Sequence, residues 1–181
     1  MLSKYTWRHD SVLQAITNFV IEHKESDMTV CADLGKYSHP NSYSVLPSQF
    51  AISSLRPDIV VYSESRKIVC LIELTVPAEE LVQNAMERKH RRYLDLVQNI
   101  NPRWKPDLIT VEIGSRGLDT QSVAMMAQSL VKAKLAKPIP AAHIRALRRQ
   151  CSLIALNCSY HIWLTRRTEG FPEAQALMCI T

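Results

Sequence analysis

The sequence predicts an α/β fold: a mixed sheet of about four strands flanked by helices, with a helical extension at the C-terminus. Three observations predict it. The stretch Arg56–Pro77 holds two β-branched, apolar runs, Ile59-Val60-Val61-Tyr62 and Ile68-Val69-Cys70-Leu71-Ile72, separated by the polar Ser63-Glu64-Ser65-Arg66-Lys67. Two shorter β-rich runs, Thr29–Leu34 and Leu108–Ile113, lie on either side of it in the chain. Between and beyond these runs the apolar residues recur at helical spacing. A length of 181 residues suits one domain with a full core. We expect that domain over residues 1–137, with 138–181 as a basic helical extension packed on it.

Each element has its own signals. Asp10 or Ser11 is placed to cap a first helix over 10–24, whose stripe is Val12, Leu13, Ile16, Phe19 and Val20. Arg8-His9-Asp10 is then a polar lead-in, and Glu22 either approaches a metal or is solvated. Thr29–Leu34 is a short strand ended by Gly35. Residues 36–55 keep no period, and a loop of that length often lies over a binding site, with Tyr37, His39 and Tyr43 candidates for stacking on bases.

In the hairpin, a turn centred between Ser65 and Arg66 sets Asp58 opposite Glu73. Directly paired residues share a face, with Cβ atoms about 5 Å apart. Two adjacent acids repel unless a positive charge intervenes, and a divalent metal is the usual one; Mg²⁺ favours one or two carboxylates plus waters and phosphate oxygens. The alternative is a pair of strand-end acids pointing into solvent.

Pro77 is placed to begin a helix over 78–100, with Glu79 and Glu80 in the first turn. Leu81, Val82, Ala85, Met86, Tyr93, Leu96, Val97 and Ile100 fall on one face, and Lys89 falls in the middle of it. A buried lysine needs a partner. Lys89 therefore either reaches Asp58 and Glu73 or snorkels to water. Arg88, Arg91 and Arg92 lie toward the flank, available to backbone phosphates. After the strand 108–113, ended by Gly114 and Gly117, Arg116 is a phosphate contact or an exposed turn residue. Helices follow at 120–136 and 141–163, separated by Pro138 and Pro140; the second pairs an apolar stripe with basic Arg145, Arg148 and Arg149.

Composition narrows the function. Apolar residues at 46% and charged residues at 22% are ordinary for a soluble globular chain. With no apolar run near ~20 residues and no signal-peptide core, we expect an intracellular protein with no membrane partner. Five cysteines, an odd number without a CxxC pair, argue against a disulfide framework and against a self-contained zinc knuckle, and the six histidines are scattered. The net charge of +5 is uneven: residues 1–80 carry 7 Lys/Arg against 10 Asp/Glu, and 81–181 carry 15 against 7. An acidic site beside a basic half suits a nucleic-acid enzyme; a solvated basic face is the alternative.

The ordered set of segments resembles the restriction-like endonuclease domain of site-specific non-LTR retrotransposons, within the PD-(D/E)xK nuclease superfamily. The matching residues are Arg56-Pro57-Asp58, Glu73-Leu74-Thr75-Val76-Pro77, Glu87-Arg88-Lys89 with Tyr93, Arg8-His9-Asp10-Ser11-Val12-Leu13 and Glu112-Ile113-Gly114-Ser115-Arg116-Gly117. The resemblance spans about Tyr5 to Arg167. It implies a restriction-endonuclease-like core in which Asp58 and Glu73 bind catalytic Mg²⁺ (or Mn²⁺) and Lys89 stands in for the motif lysine. It also implies nicking of target DNA in the nucleus, with the RNA of the parent element as a second partner. Arg8, His9, Arg88, Arg92, Arg116, Arg148 and Arg149 are the expected nucleic-acid contacts. Two departures are visible: Thr75 occupies the position of the motif lysine, and the zinc knuckle expected upstream of Arg8-His9-Asp10 is missing, as from an excised C-terminal piece. The alternatives to an active endonuclease are a catalytically inactive nucleic-acid-binding domain of the same fold and a protein-interaction domain with an acidic partner.

Overall fold

The hairpin at the centre of the chain forms in the expected register. In a computed structural model that describes residues 4–34, 46–47, 49–51 and 53–166, β2 (Ile59–Ser63) pairs antiparallel with β3 (Ile68–Thr75) through Ile59↔Ile72, Val61↔Cys70 and Ser63↔Ile68. The next pair outward is Asp58 and Glu73. Lys67 closes the turn with φ of 54°, and the Ser63 hydroxyl accepts the Arg66 N–H.

Two more strands complete a four-stranded mixed sheet of order β1-β2-β3-β4. β1 (Thr29–Ala32) pairs antiparallel with β2, and β4 (Lys105–Glu112) pairs parallel with β3 from Ile68↔Lys105 to Thr75↔Glu112. β3 thus runs three residues beyond the apolar stretch of the sequence, because β4 takes up its backbone groups as far as Thr75. β4 likewise begins earlier than the β-branched run. Pro106 is tolerated there because β4 is an edge strand.

Helices cover both faces. On one side α1 (Lys4–His23), α3 (Ser122–Lys132) and α4 (Ala141–Leu164) bury a core that includes Leu13, Ile16, Val61, Ile72, Val111, Met126, Leu130, Leu147 and Cys151. On the other, α2 (Val82–Gln98) buries Tyr93 and Leu96 against Val60, Val69 and Leu71, with Phe50 and Trp104 closing the edge. The alternation along the strands follows: Ile59, Val61, Cys70 and Ile72 face the first layer, and Val60, Val69 and Leu71 the second. By the same period Asp58, Glu73 and Thr75 face α2. α4 contributes Leu147, Cys151 and Ala155 to the larger core and lies along α1.

Four local expectations are corrected. α1 starts at Lys4 rather than Asp10, so Arg8, His9 and Asp10 lie within the helix; Ser11 bonds back to the Trp7 carbonyl at 2.8 Å instead of capping, and Lys4 bonds across to the Thr165 carbonyl. The helix after Pro77 opens with a single 3-10 turn, Glu79–Leu81, which leaves Leu81 51% exposed. α3 starts at Ser122 and stops at Lys132, its N-terminus held where Thr120 and Ser122 donate to the Glu112 carbonyl at 2.6 and 3.0 Å. In α4, Ala155 is buried and Leu156 exposed. Tyr37, His39 and Tyr43 lie outside the described residues.

Candidate functional site

Asp58 precedes β2 at the point where the chain turns into the sheet, and its carboxylate is fixed from three directions. Oδ2 accepts the Leu74 N–H at 2.7 Å and the Lys89 ammonium at 3.2 Å, and His9 Nε2 stands 3.5 Å away. Glu73, on the next strand, is fully buried. Its Oε1 accepts the Asp58 N–H at 3.2 Å and its Oε2 accepts Lys89 Nζ at 2.6 Å. The α2 stripe brings Lys89 here: Tyr93 and Leu96 pack on the sheet and Ala85 is buried on the same face, which turns the lysine between them toward the two acids. Of the two readings of Lys89, pairing with the carboxylates is the one observed.

His9 reaches the same carboxylate from the opposite layer. Its Nδ1 donates to Asp10 Oδ1 at 3.1 Å, and its Nε2 also lies 3.3 Å from the Leu74 carbonyl. The result is a chain of alternating charge: Asp10, His9, Asp58, Lys89, Glu73. Burial works against a charged ring, but hydrogen bonds to Asp10 and Asp58 and their negative charge outweigh it and push His9 up to about 10. Burial pushes Asp58 the same way as any carboxyl, yet the hydrogen bond and charge of His9, with Lys89 and the Leu74 N–H behind them, hold it below the ordinary carboxylate range. Glu73 goes the other way, raised by burial and then by the charge of Asp58, with Lys89 only partly opposing. Of the two acids, Glu73 is therefore the first to take up a proton as the pH falls.

Tyr93 closes the site beneath Lys89. Its hydroxyl donates to the Arg56 carbonyl at 2.9 Å, and burial, then the two carboxylates, raise its pKa beyond the ordinary phenol range. The Lys89 Nζ and the Arg92 guanidinium lie 5.7 and 5.9 Å from the centre of its ring. Arg56 itself pairs with Asp33 at 2.5 Å.

The expected nucleic-acid contacts divide between the two layers. Arg88 and Arg92 are exposed on α2, one turn apart, and with Asn84, Glu87 and Arg91 line a shallow cleft of about 390 Å³ on the outward face of the helix, which Lys89 does not line. Arg8 is turned inward, donating to the Val76 carbonyl at 2.7 Å and the Ser159 hydroxyl at 2.9 Å. Arg116 is held by Glu79 at 2.7 Å and Glu80 at 3.4 Å, and Arg148 by Asp119 at 2.6 Å. Arg149 is exposed on α4, on the other side of the sheet from Arg88 and Arg92. Thr75 is buried, with no hydrogen-bond partner for its hydroxyl.

Sequence reasoning missed two things. Asp10, assigned to a helix cap, is the outer carboxylate behind His9; the adjacent acid was the available signal. His23 and His143, read as scattered, lie side by side, and nothing in the sequence relates positions 120 residues apart.

The fold and site define an α/β protein with a four-stranded mixed sheet flanked by helices and a buried, lysine-bridged carboxylate pair at one end of that sheet. No family model, no curated protein and no solved structure matches the chain.

Proposed function

We propose that this chain is a metal-dependent endonuclease that nicks DNA, built on a restriction-endonuclease-like core. The observation that carries the reading is the Asp58–Lys89–Glu73 constellation, with a lysine 2.6 and 3.2 Å from two buried carboxylates, on a helix whose outward face is exposed and basic. The donor set fits a hard divalent cation, since Asp58 and Glu73 offer carboxylate oxygens. Mg²⁺ or Mn²⁺ held by these two residues would neutralise charge developing on the phosphate and activate the attacking water. Lys89 is the mobile charge of the site: released from the acids, it orients the scissile phosphate. Arg88 and Arg92 hold flanking phosphates, and His9 with Asp10 keeps Asp58 ionised. Lys89 thereby takes the role that Thr75 cannot fill.

A second reading has its own observation. Lys89 satisfies both carboxylates as they stand, which suits a nucleic-acid-binding module of this fold without chemistry. Nicking of supercoiled plasmid, with Mg²⁺ or Mn²⁺ against EDTA and with Asp58→Ala alongside, separates the two. Metal-dependent nicking lost in Asp58→Ala, with DNA binding kept, is the expected result. Salt-dependent DNA affinity without nicking would give the binding module, and absence of salt-dependent affinity would overturn both.

A further inference from the structure

The far end of α1 carries a second group of potential ligands. His23, in the last turn of α1, is 8% exposed, and His143, in the first turn of α4, is exposed. His23 Nε2 and His143 Nδ1 are 3.0 Å apart, and with a carboxylate oxygen of the neighbouring Glu22 the three ligand atoms lie within 4.8 Å of one another. Among the described residues no other His, Cys, Asp and Glu side chains form such a group. We propose that Glu22, His23 and His143 form a Zn²⁺ site that ties the end of α1 to the start of α4.

The first argument is the tautomer. His23 Nδ1 lies 2.9 Å from the Phe19 carbonyl, which only accepts, so Nδ1 carries the proton and Nε2 presents a lone pair toward His143. A metal-ligating histidine usually donates its other ring N–H to a carbonyl or carboxylate in this way. The Phe19 ring, 4.3 Å from that of His23, holds the imidazole from the side. Spacing agrees as well: two nitrogens at tetrahedral zinc bond lengths stand about 3.3 Å apart, so the present 3.0 Å needs only a small rotation of the exposed His143. In the metal-free chain a proton on His143 Nδ1 bridges the two rings, and the cation displaces it.

The chemistry selects the ion. Two imidazoles and one carboxylate suit zinc rather than Mg²⁺, which prefers an all-oxygen shell. The C-terminal end of α1 favours a cation through its dipole. Three protein ligands leave a fourth position open, and this one faces a cleft of about 240 Å³ bordered by Asn18 and Gln150. The segment is also well braced: the Lys137 N–H donates to the His23 carbonyl at 2.9 Å, so the ligand does not swing with a frayed helix end.

The test uses the whole chain, stripped with EDTA and titrated with Co²⁺ and then Zn²⁺. One equivalent of Co²⁺ should bind with the visible bands of a tetrahedral site, Zn²⁺ should displace it, and the melting temperature should rise with zinc concentration. His143→Ala, at an exposed position, should melt like the metal-free wild type yet lose at least about tenfold in metal affinity. Glu22→Gln should weaken binding in the same sense. Asp58→Ala should keep the tetrahedral Co²⁺ bands at unchanged affinity, which keeps this site distinct from the carboxylate pair. Absence of one-equivalent binding, or affinity unchanged in His143→Ala, would overturn the proposal.

Discussion

Helix α1 carries a cluster of titratable groups at each end, His9 and Asp10 near one and Glu22 and His23 at the other, about 20 Å apart at ~1.5 Å per residue. At the first end each carboxylate is buried and each cation half-buried beside its opposite, from Asp10 through His9, Asp58 and Lys89 to Glu73. At the second the donors include an imidazole lone pair, and two of the three side chains face solvent. The difference is one of electrostatic closure. The first cluster has already answered its own desolvation, because a buried charge left alone costs several kcal/mol. Any cation entering it must compete with Lys89. Among the described residues the second has no opposite charge beside it, and its two imidazole nitrogens face each other at 3.0 Å.

The largest effect should come from opening the closed cluster. Lys89→Met removes the charge shared by Asp58 and Glu73, and breaking a buried pair from one side is costly; Asp58 keeps His9 and the Leu74 N–H, and Glu73 takes up a proton, so we expect a loss of about 3 kcal/mol. Urea denaturation at neutral pH measures it. The same variant should lose plasmid nicking. A variant as stable as wild type would mean that Lys89 is a surface lysine that merely rests on the acids.

A smaller effect is the pH dependence of that closure, read in EDTA so that no metal intervenes. His9, pushed up to about 10 from 6.5, contributes stability that is fully present below 6.5 and lost as the pH rises through 10. Glu73, also raised, holds its proton in the fold where the unfolded chain has released it, so its contribution too declines as the pH climbs above 4.5. Asp58, lowered, has the opposite sign: its stabilisation is present above 3.8 and lost on acidification. Wild-type stability should therefore fall from pH 6.5 toward 10, and His9→Gln should flatten that fall while costing about 1–3 kcal/mol near neutrality. An unchanged alkaline slope in His9→Gln would remove His9 from the charge chain.

These two clusters also mark where the sequence was legible. Asp58 opposite Glu73 follows from the spacing of two apolar runs about a short turn, a contact fifteen residues long that strand register alone decides. Lys89 followed from a polar residue on an apolar stripe. The start of α1 did not follow, because Ser11 and Asp10 are good capping types and the sequence gives no sign that α4 would pack beside Lys4 and Arg8 and extend the helix backward. For the same reason Arg8 looked available to phosphate, and its inward bonds go to Val76 just past β3, 68 residues on, and to Ser159 on α4, 151 residues on. The two histidines of the second cluster are joined only by that α1–α4 packing. Local pattern gave the hairpin and its site; contacts between distant helices gave the rest.

On the exposed face of α2 the expected effects are on affinity rather than stability. Arg88→Ala removes an exposed side chain and should leave stability within about 0.5 kcal/mol, whereas Arg92→Ala also removes a guanidinium 5.9 Å from the buried Tyr93 ring and should cost up to about 1 kcal/mol. If each arginine neutralises one phosphate, each variant should lower the slope of log affinity against log salt by about 0.9. Arg149→Ala, on the opposite layer, is the control that sharpens the comparison. An equal loss there would move the nucleic-acid surface away from the carboxylate site.

The smallest effect concerns Thr75, two residues along β3 from Glu73 and facing the same layer. Its hydroxyl is buried without a partner, as is Oε1 of Glu112, the residue opposite it on β4. Burying an unpaired hydroxyl is unfavourable, and valine fills nearly the same volume with a β-branched shape suited to a strand. Thr75→Val should thus be neutral or stabilising by up to about 1 kcal/mol. It should also leave nicking unchanged, because the cation that would serve the phosphate comes from α2. Together with Lys89→Met it forms a paired test: activity lost in the lysine variant and kept in the valine variant assigns the charge to Lys89, and the reverse pattern assigns the chemistry to the Thr75 hydroxyl instead.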